Sequence, residues 1–347
     1  MARKILWASL ALAPVTVVAD FLLHFGDVPL FVLASVTLIP LAWLIGEATE
    51  HAAYHTGPGI GGFLNATFGN APELIISLFA INKGLTEVVR GSLTGSVVGN
   101  LLLVLGFSLL FGRGDQSVNR DSSFLWLGLV LVATLVFLIP AVPGWHGNPE
   151  RHSIAVLSLP VAVVLLLLYV GATWWQLRRF RERHEAPEST EGVWSLPRSV
   201  WVLAVATGLT AITAEILVGS IENFADKAHL SDFFVAAVIV AIVGNAAEHG
   251  GAVIVAYRGK VELAAEIALS SSAQVAVFLI PAVALLSWTL HPLALSFRRV
   301  ELGAVGFSAV LISLLFWDRR SSNWHGAALI GIYGCVAAAF FLAGNRG

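Results

Sequence analysis

Eleven stretches of this chain are apolar over about the length of a membrane-crossing helix. They lie near residues 5–25, 30–53, 66–83, 88–112, 123–141, 152–176, 199–221, 232–257, 262–290, 300–317 and 324–344. A hydrocarbon core about 30 Å thick needs about 20 apolar residues wound as a helix, because every backbone polar group must find its partner within the segment. Composition agrees: 57% of the 347 residues are hydrophobic and only 12% are charged, against about 25% charged in an ordinary globular chain. With a mean hydropathy of +0.82, too few polar residues remain to cover a soluble core. The expected class is therefore an all-α integral membrane protein with the lipid bilayer as its solvent.

Other classes fall away quickly. A formal net charge of −2 gives nucleic acid nothing to bind. The single cysteine, Cys335, excludes an intramolecular disulfide and a multi-cysteine zinc cage. Arg3 and Lys4 precede the first apolar run, but no small-x-small cleavage site follows, so the run reads as a retained span. The longest polar stretch, Gln176 to Ser199, opens with Arg178, Arg179, Arg181 and Arg183 and turns acidic at Glu185, Glu188 and Glu191. Lys and Arg gather on the cytoplasmic side, so this linker is expected inside, along with the N-terminus.

The chain also repeats itself. Gly69-Asn70-Ala71-Pro72-Glu73 returns as Gly244-Asn245-Ala246-Ala247-Glu248. Twenty-six residues after each glycine a second polar cluster begins, Gly95-Ser96-Val97-Val98-Gly99-Asn100 in one half and Ser270-Ser271-Ser272-Ala273-Gln274 in the other. Upstream, Ala48-Thr49-Glu50 has a counterpart in Thr213-Ala214-Glu215. Two motifs in the same order at the same spacing define a five-span unit. The expected layout is an extra first helix over 1–29, a first repeat over 30–176, the charged linker over 177–198 and a second repeat over 199–347. An odd number of spans per unit inverts one copy relative to the other, the arrangement of secondary transporters whose substrate site lies where the repeats meet.

Glu73 and Glu248 each fall deep within a span, with no Lys or Arg within four residues on the same helix. A bare carboxylate there costs at least about 2.5–3.5 kcal/mol, so it must hold a proton or a cation. A cation/proton exchanger alternates between those two states. Asn70 and Asn245 each precede their glutamate by three residues, on the same helical face. Gly69 and Pro72 loosen the local backbone, freeing carbonyls to face the site. Ser96 with Asn100, and Ser270 with Gln274, stand at i, i+4, and Ser271 lies beside them. Carboxylate, amide, hydroxyl and main-chain oxygens form a flexible cage that suits Ca²⁺ better than strongly hydrated Mg²⁺. The serines, taken singly, serve close packing as readily as ligation, and an asparagine can also satisfy backbone that a glycine has opened.

Outlying polar residues carry weaker readings. Glu50 and Glu215 are a symmetric pair suited to a gate or proton relay, although interfacial solvation explains them as well. Asp20 and His24 receive no role. His249 follows Glu248 directly and so points off its face, which favours packing or support over ligation. Glu50-His51-Ala52-Ala53-Tyr54-His55 spaces two histidines as zinc proteases do, but Ala52 stands where the general-base glutamate belongs, so an intramembrane zinc hydrolase is a remote alternative.

The segment from Gly61 through Asn65, Gly69, Asn70, Pro72 and Glu73 to Ile75 resembles the first signature of the Ca²⁺/H⁺ exchanger family, within the cation/Ca²⁺ exchanger superfamily. Gly95 to Gly106 resembles its continuation. Val243 to His249, with Ser271-Ser272-Ala273-Gln274 downstream, resembles the second signature. The likeness spans nearly the whole chain. It implies Ca²⁺/H⁺ exchange by alternating access, with Glu73 and Glu248 as the central ligands for Ca²⁺ and protons. It further implies support from Asn70, Asn245, Ser96, Asn100 and Gln274, carbonyls around Gly69 and Gly244, and movement of the second and seventh spans against a static core. Such a protein needs no resident cofactor: Ca²⁺ is cargo and H⁺ its counter-ion. Pro72 departs from the threonine or valine common among relatives, and the linker is less acidic than the family's acidic helix. The lack of a long hydrophilic N-terminal extension points to a prokaryotic inner membrane, where a homo-oligomer is compatible with the sequence. Na⁺/Ca²⁺ exchange on the same fold is the nearest rival, though Gly69-Asn70 and Gly244-Asn245 stand where such relatives use hydroxyls to bind Na⁺.

Overall fold

The computed structural model describes residues 2–114, 118–180, 193–317 and 321–345, and the elements among them are all helical. They are α1 (Ala2–Ser9), α2 (Leu12–Phe21), α3 (Asp27–Phe68), α4 (Ala71–Asn82), α5 (Thr86–Val98), α6 (Leu105–Phe111), α7 (Arg120–Gly144) and α8 (His152–Phe180). The second half holds α9 (Leu196–Ala228), α10 (Asp232–Phe234), α11 (Ala241–Gly244), α12 (Ala246–Tyr257), α13 (Val261–Gln274), α14 (Ile280–Leu286), α15 (Arg299–Leu315) and α16 (Asn323–Ala343). Wider π-helical turns link α5 to α6 (Gly99–Val104), α10 to α11 (Val235–Val240) and α13 to α14 (Val275–Leu279). Of the linker expected over 177–198, residues 181–192 lie outside the described residues.

Helix occupies all eleven expected stretches, but not as eleven uniform spans. Among the described residues, eight segments are long and apolar enough to cross a membrane, and nine are when Asp232–Gly244 and Ala246–Tyr257, bent by 57°, count as one broken crossing. The third stretch is the clearest difference: α4 has only 12 residues, because the helix breaks at Gly69-Asn70. The tenth, α15, has 17. The second stretch does not stop at residue 53 either. Helix continues through the Gly57-Pro58-Gly59 sequence to Phe68 but turns sharply there: a Cβ built at Gly61 would lie 2.9 Å from that of Ala53. Along a straight helix those positions are about 12 Å apart. Proline and glycine are the usual cause of such a kink.

The surface matches the solvent implied by the composition. Leu135, Leu167, Leu314 and Leu342 are each at least 65% exposed, on helices whose opposite faces are buried. An exposed apolar surface of this extent needs a lipid or protein partner.

Glycine decides how closely the two halves meet. A Cβ built at Gly91 would stand 2.9 Å from the carbonyl oxygen of Phe233, and one at Gly95 only 2.0 Å from that of Ala237. Thus α5 and the segment Asp232–Gly244 touch backbone to backbone, as small residues permit in membrane interfaces.

Candidate cation-binding site

Both signature motifs sit at helix breaks of the same shape. Asn70 separates α3 from α4 with φ −99° and ψ 15°, and Asn245 separates α11 from α12 with φ −94° and ψ 5°. Neither asparagine uses its side chain to cap the helix that follows. Both side chains instead reach across to other helices. Asn245 Nδ2 donates to Ser96 Oγ at 2.8 Å and to the carbonyl of Ala241 at 3.0 Å, so it supports the broken backbone and bridges to α5 together. Asn70 Nδ2 donates to Gln274 Oε1 on α13 at 3.4 Å. Gly69 forms the first break with Asn70.

Each glutamate begins the short helix after its break, in the first turn of α4 and of α12. The positive end of a helix dipole lies there, and it stabilises negative charge. Glu73 is 5% exposed. Its carboxyl packs on the backbone of Gly244, where an added Cβ would be 3.2 Å from Oε1. Glu73 thus reaches the backbone of the second motif four residues before Glu248. Motifs 175 residues apart in sequence are therefore in contact through Glu73 and Gly244.

Around Glu248 the hydrogen bonds run in one direction. His249 Nε2 donates to Asn100 Oδ1 (3.1 Å), Asn100 Nδ2 to Ser271 Oγ (3.0 Å), and Ser271 Oγ to Glu248 Oε2 (2.6 Å). The carboxamide of Asn100 orients the chain, since its oxygen accepts while its nitrogen donates. Ser271, the serine named from the sequence, is the one that reaches Glu248, while Ser270 turns back to the carbonyl of Ile267. His249 plays the supporting part expected of a residue beside Glu248, and its partner on α5–α6 was not legible from spacing.

One residue went unread. Ser77 lies one turn after Glu73 and is fully buried. Its hydroxyl and Glu73 Oε2 both lack a hydrogen-bond partner among the described residues. Buried oxygens are normally satisfied, and a buried carboxylate oxygen without a donor fits a cation or a proton. The i, i+4 spacing from Glu73 was the available signal.

The structure thus brings Glu73, Glu248, Asn70, Asn245, Gly244, Ser96, Asn100, Ser271 and Gln274 together. Glu50 and Glu215 stand apart on exposed faces of α3 and α9. The two histidines of the zinc-like motif are both engaged by Trp194: His51 Nδ1 accepts from its backbone N–H at 3.4 Å, and His55 Nε2 meets its carbonyl at 2.7 Å. Among the described residues no group of three or more His, Cys, Asp or Glu is placed to hold a metal. Both histidines of the motif are instead tied to the backbone of Trp194.

Comparison with known proteins places this geometry. The model of the sodium/calcium exchanger protein family matches residues 27–178 and 198–342. The chain is 40% identical over 342 residues to the Ca²⁺/H⁺ antiporter ChaA of Bacillus subtilis, covering 95% of this chain and 96% of that one. It is 35% identical over 364 residues to a Ca²⁺/H⁺ antiporter of Synechocystis, covering 97% of each. The solved structure of native YfkE superposes with a TM-score of 0.83 at 37% identity, over 98% of this chain and 99% of that one. With both family segments matched and the relatives aligned nearly end to end, the chain belongs to the sodium/calcium exchanger protein family, among relatives named Ca²⁺/H⁺ antiporters.

Proposed function

We propose that this protein is a secondary transporter that exchanges Ca²⁺ for H⁺ by alternating access, with metal and protons competing for Glu73 and Glu248. One observation carries the reading: two carboxyl groups, each in the first turn after a broken helix, belong to one polar cluster, with no Lys or Arg among the residues hydrogen-bonded in it. Divalent charge and protons neutralise the same two groups, so occupancy by one expels the other. Exchange near two protons per Ca²⁺ follows as the simplest stoichiometry. Asn70, Asn245, Ser96, Asn100, Ser271 and Gln274, with carbonyls at Gly69 and Gly244, complete the oxygen cage. Glu50 and Glu215 belong at the approaches, as gate or proton relay, rather than in the coordination shell.

The matching breaks at Asn70 and Asn245, and the π-helical turns that follow both α5 and α13, support two inverted five-helix repeats behind an extra first helix. On this reading the chain crosses the inner membrane of a prokaryote eleven times, and α3 and α9 move against the rest. The test is transport by purified protein in sealed vesicles. An imposed pH gradient without Na⁺ is expected to drive Ca²⁺ uptake; a strict Na⁺ requirement overturns the proposal. Removing the hydroxyl that donates to Glu248, in Ser271→Ala, is expected to raise half-saturating Ca²⁺ about tenfold, since hydrogen bonds to charged groups contribute about 1.5–3 kcal/mol. Fluxes measured across a Ca²⁺ series check that figure.

A further inference from the structure

Arg90 of α5 is 1% exposed and heads the fully buried side chains in size. Its guanidinium meets Glu87 Oε1 at 2.7 Å, the Glu150 carboxylate between α7 and α8, and the carbonyl of Ala294 at 3.2 Å. The other oxygen of Glu87 pairs with Arg298, the residue before α15. Arg298 also donates to the carbonyl of Gly344, and its guanidinium lies 4.2 Å over the ring of Phe233. Its backbone N–H donates to Glu301 Oε2 at 2.6 Å, and Glu301 Oε1 accepts from Thr94 at 3.2 Å. Beside Gly344, Asn345 accepts from the Phe233 N–H at 3.1 Å and donates to Asp232 at 3.2 Å. None of these side chains belongs to the cation cluster.

The connections converge on the two elements whose contact shapes that cluster. Arg298 and Asn345 hold the start of the segment Asp232–Gly244, whose far end presents Gly244 to Glu73 and Asn245 to Ser96. Glu301 and Thr94 hold α5 two residues before Ser96. Between these points the two elements lie in backbone contact at Gly91 and Gly95, with no interlocking side chain at either glycine to prevent sliding. A buried charge network is costly to desolvate, and fixing a register is its best-attested use. We infer that Arg298 is a positioning residue for the cation site: it sets the register of Asp232–Gly244 against α5, and through it the reach of Asn245 to Ser96. The inference rests on the transport reading above.

The experiment compares Arg298→Gln, Arg298→Lys and Asn345→Ala with the parent chain in vesicles driven by a pH gradient, reading half-saturating Ca²⁺ separately from maximal rate. Slippage that opens the Asn245–Ser96 hydrogen bond removes support from the site, so Arg298→Gln is expected to raise half-saturating Ca²⁺ about tenfold, and Asn345→Ala about threefold, the range of one lost hydrogen bond. Maximal rate should change little. Lysine keeps the charge but not the flat guanidinium over Phe233 and should fall between the parent and Arg298→Gln. If Arg298→Gln does not fold, the exposed Asn345→Ala, outside the ion network, carries the test. Unchanged half-saturation in the folded variants, or a fall confined to maximal rate, overturns the inference. Failure of the parent chain itself to exchange Ca²⁺ for protons would instead sink the transport reading.

Discussion

Changing Glu73 or Glu248 to glutamine is expected to cut Ca²⁺/H⁺ exchange at least about 100-fold, equivalent to about 2.7 kcal/mol lost at the site. Glutamine keeps the shape of the side chain and removes both the charge that binds Ca²⁺ and the oxygen that takes up a proton. The fold should survive, because a neutral amide is easier to bury at membrane depth than a carboxylate. Helical circular dichroism and a monodisperse elution profile would establish that, and vesicle flux would measure the loss. Each mutant should be as inactive as the double mutant, since one carboxylate cannot carry both halves of the cycle. Near-normal flux in either single mutant would remove the basis of the mechanism.

The second large effect is expected at a residue that touches no ion. Gly95→Ala places a methyl 2.0 Å from the carbonyl oxygen of Ala237 and 2.7 Å from its carbon. These neighbours are backbone and cannot swing aside, so α5 and the segment Asp232–Gly244 must separate. Overpacking usually costs about 1–3 kcal/mol and occasionally more, and a backbone-to-backbone clash belongs at the upper end. Ser96 is the next residue, and its 2.8 Å contact with Asn245 would open with the gap. A marked fall in thermal stability together with loss of exchange is the expected result. Gly128→Ala is the control, since nothing lies within 4 Å of a Cβ built there. Equal stability of the two variants would show that the close approach at Gly95 is not what joins the halves.

Much of the site was legible because membrane depth makes polar groups expensive. An acidic residue in the middle of an apolar span is a costly exception, and two of them at one repeat spacing identify each other without coordinates. The breaks were legible for a related reason: Gly69, Asn70 and Gly244, Asn245 combine weak helix formers with a side chain able to bond to backbone. Length alone misled at α4, where a break that serves the site shortens the helix to 12 residues. Spacing alone did not separate Ser270 from Ser271. The i, i+4 relation of Ser270 to Gln274 is correct, but the neighbouring hydroxyl of Ser271 faces Glu248.

By itself the amino-acid order determined the membrane class and family, and it marked a repeated motif with two candidate acids, because burial cost and periodicity are local properties of a helix. Only the tertiary structure decided which faces meet. The turn that sets Gly61 against Ala53, the approach of α5 to Asp232–Gly244, the link from His249 through Asn100 to Ser271, and the burial of Arg90 all depend on partners far away in the chain. Such contacts arise when helices pack, and no single helix carries their pattern.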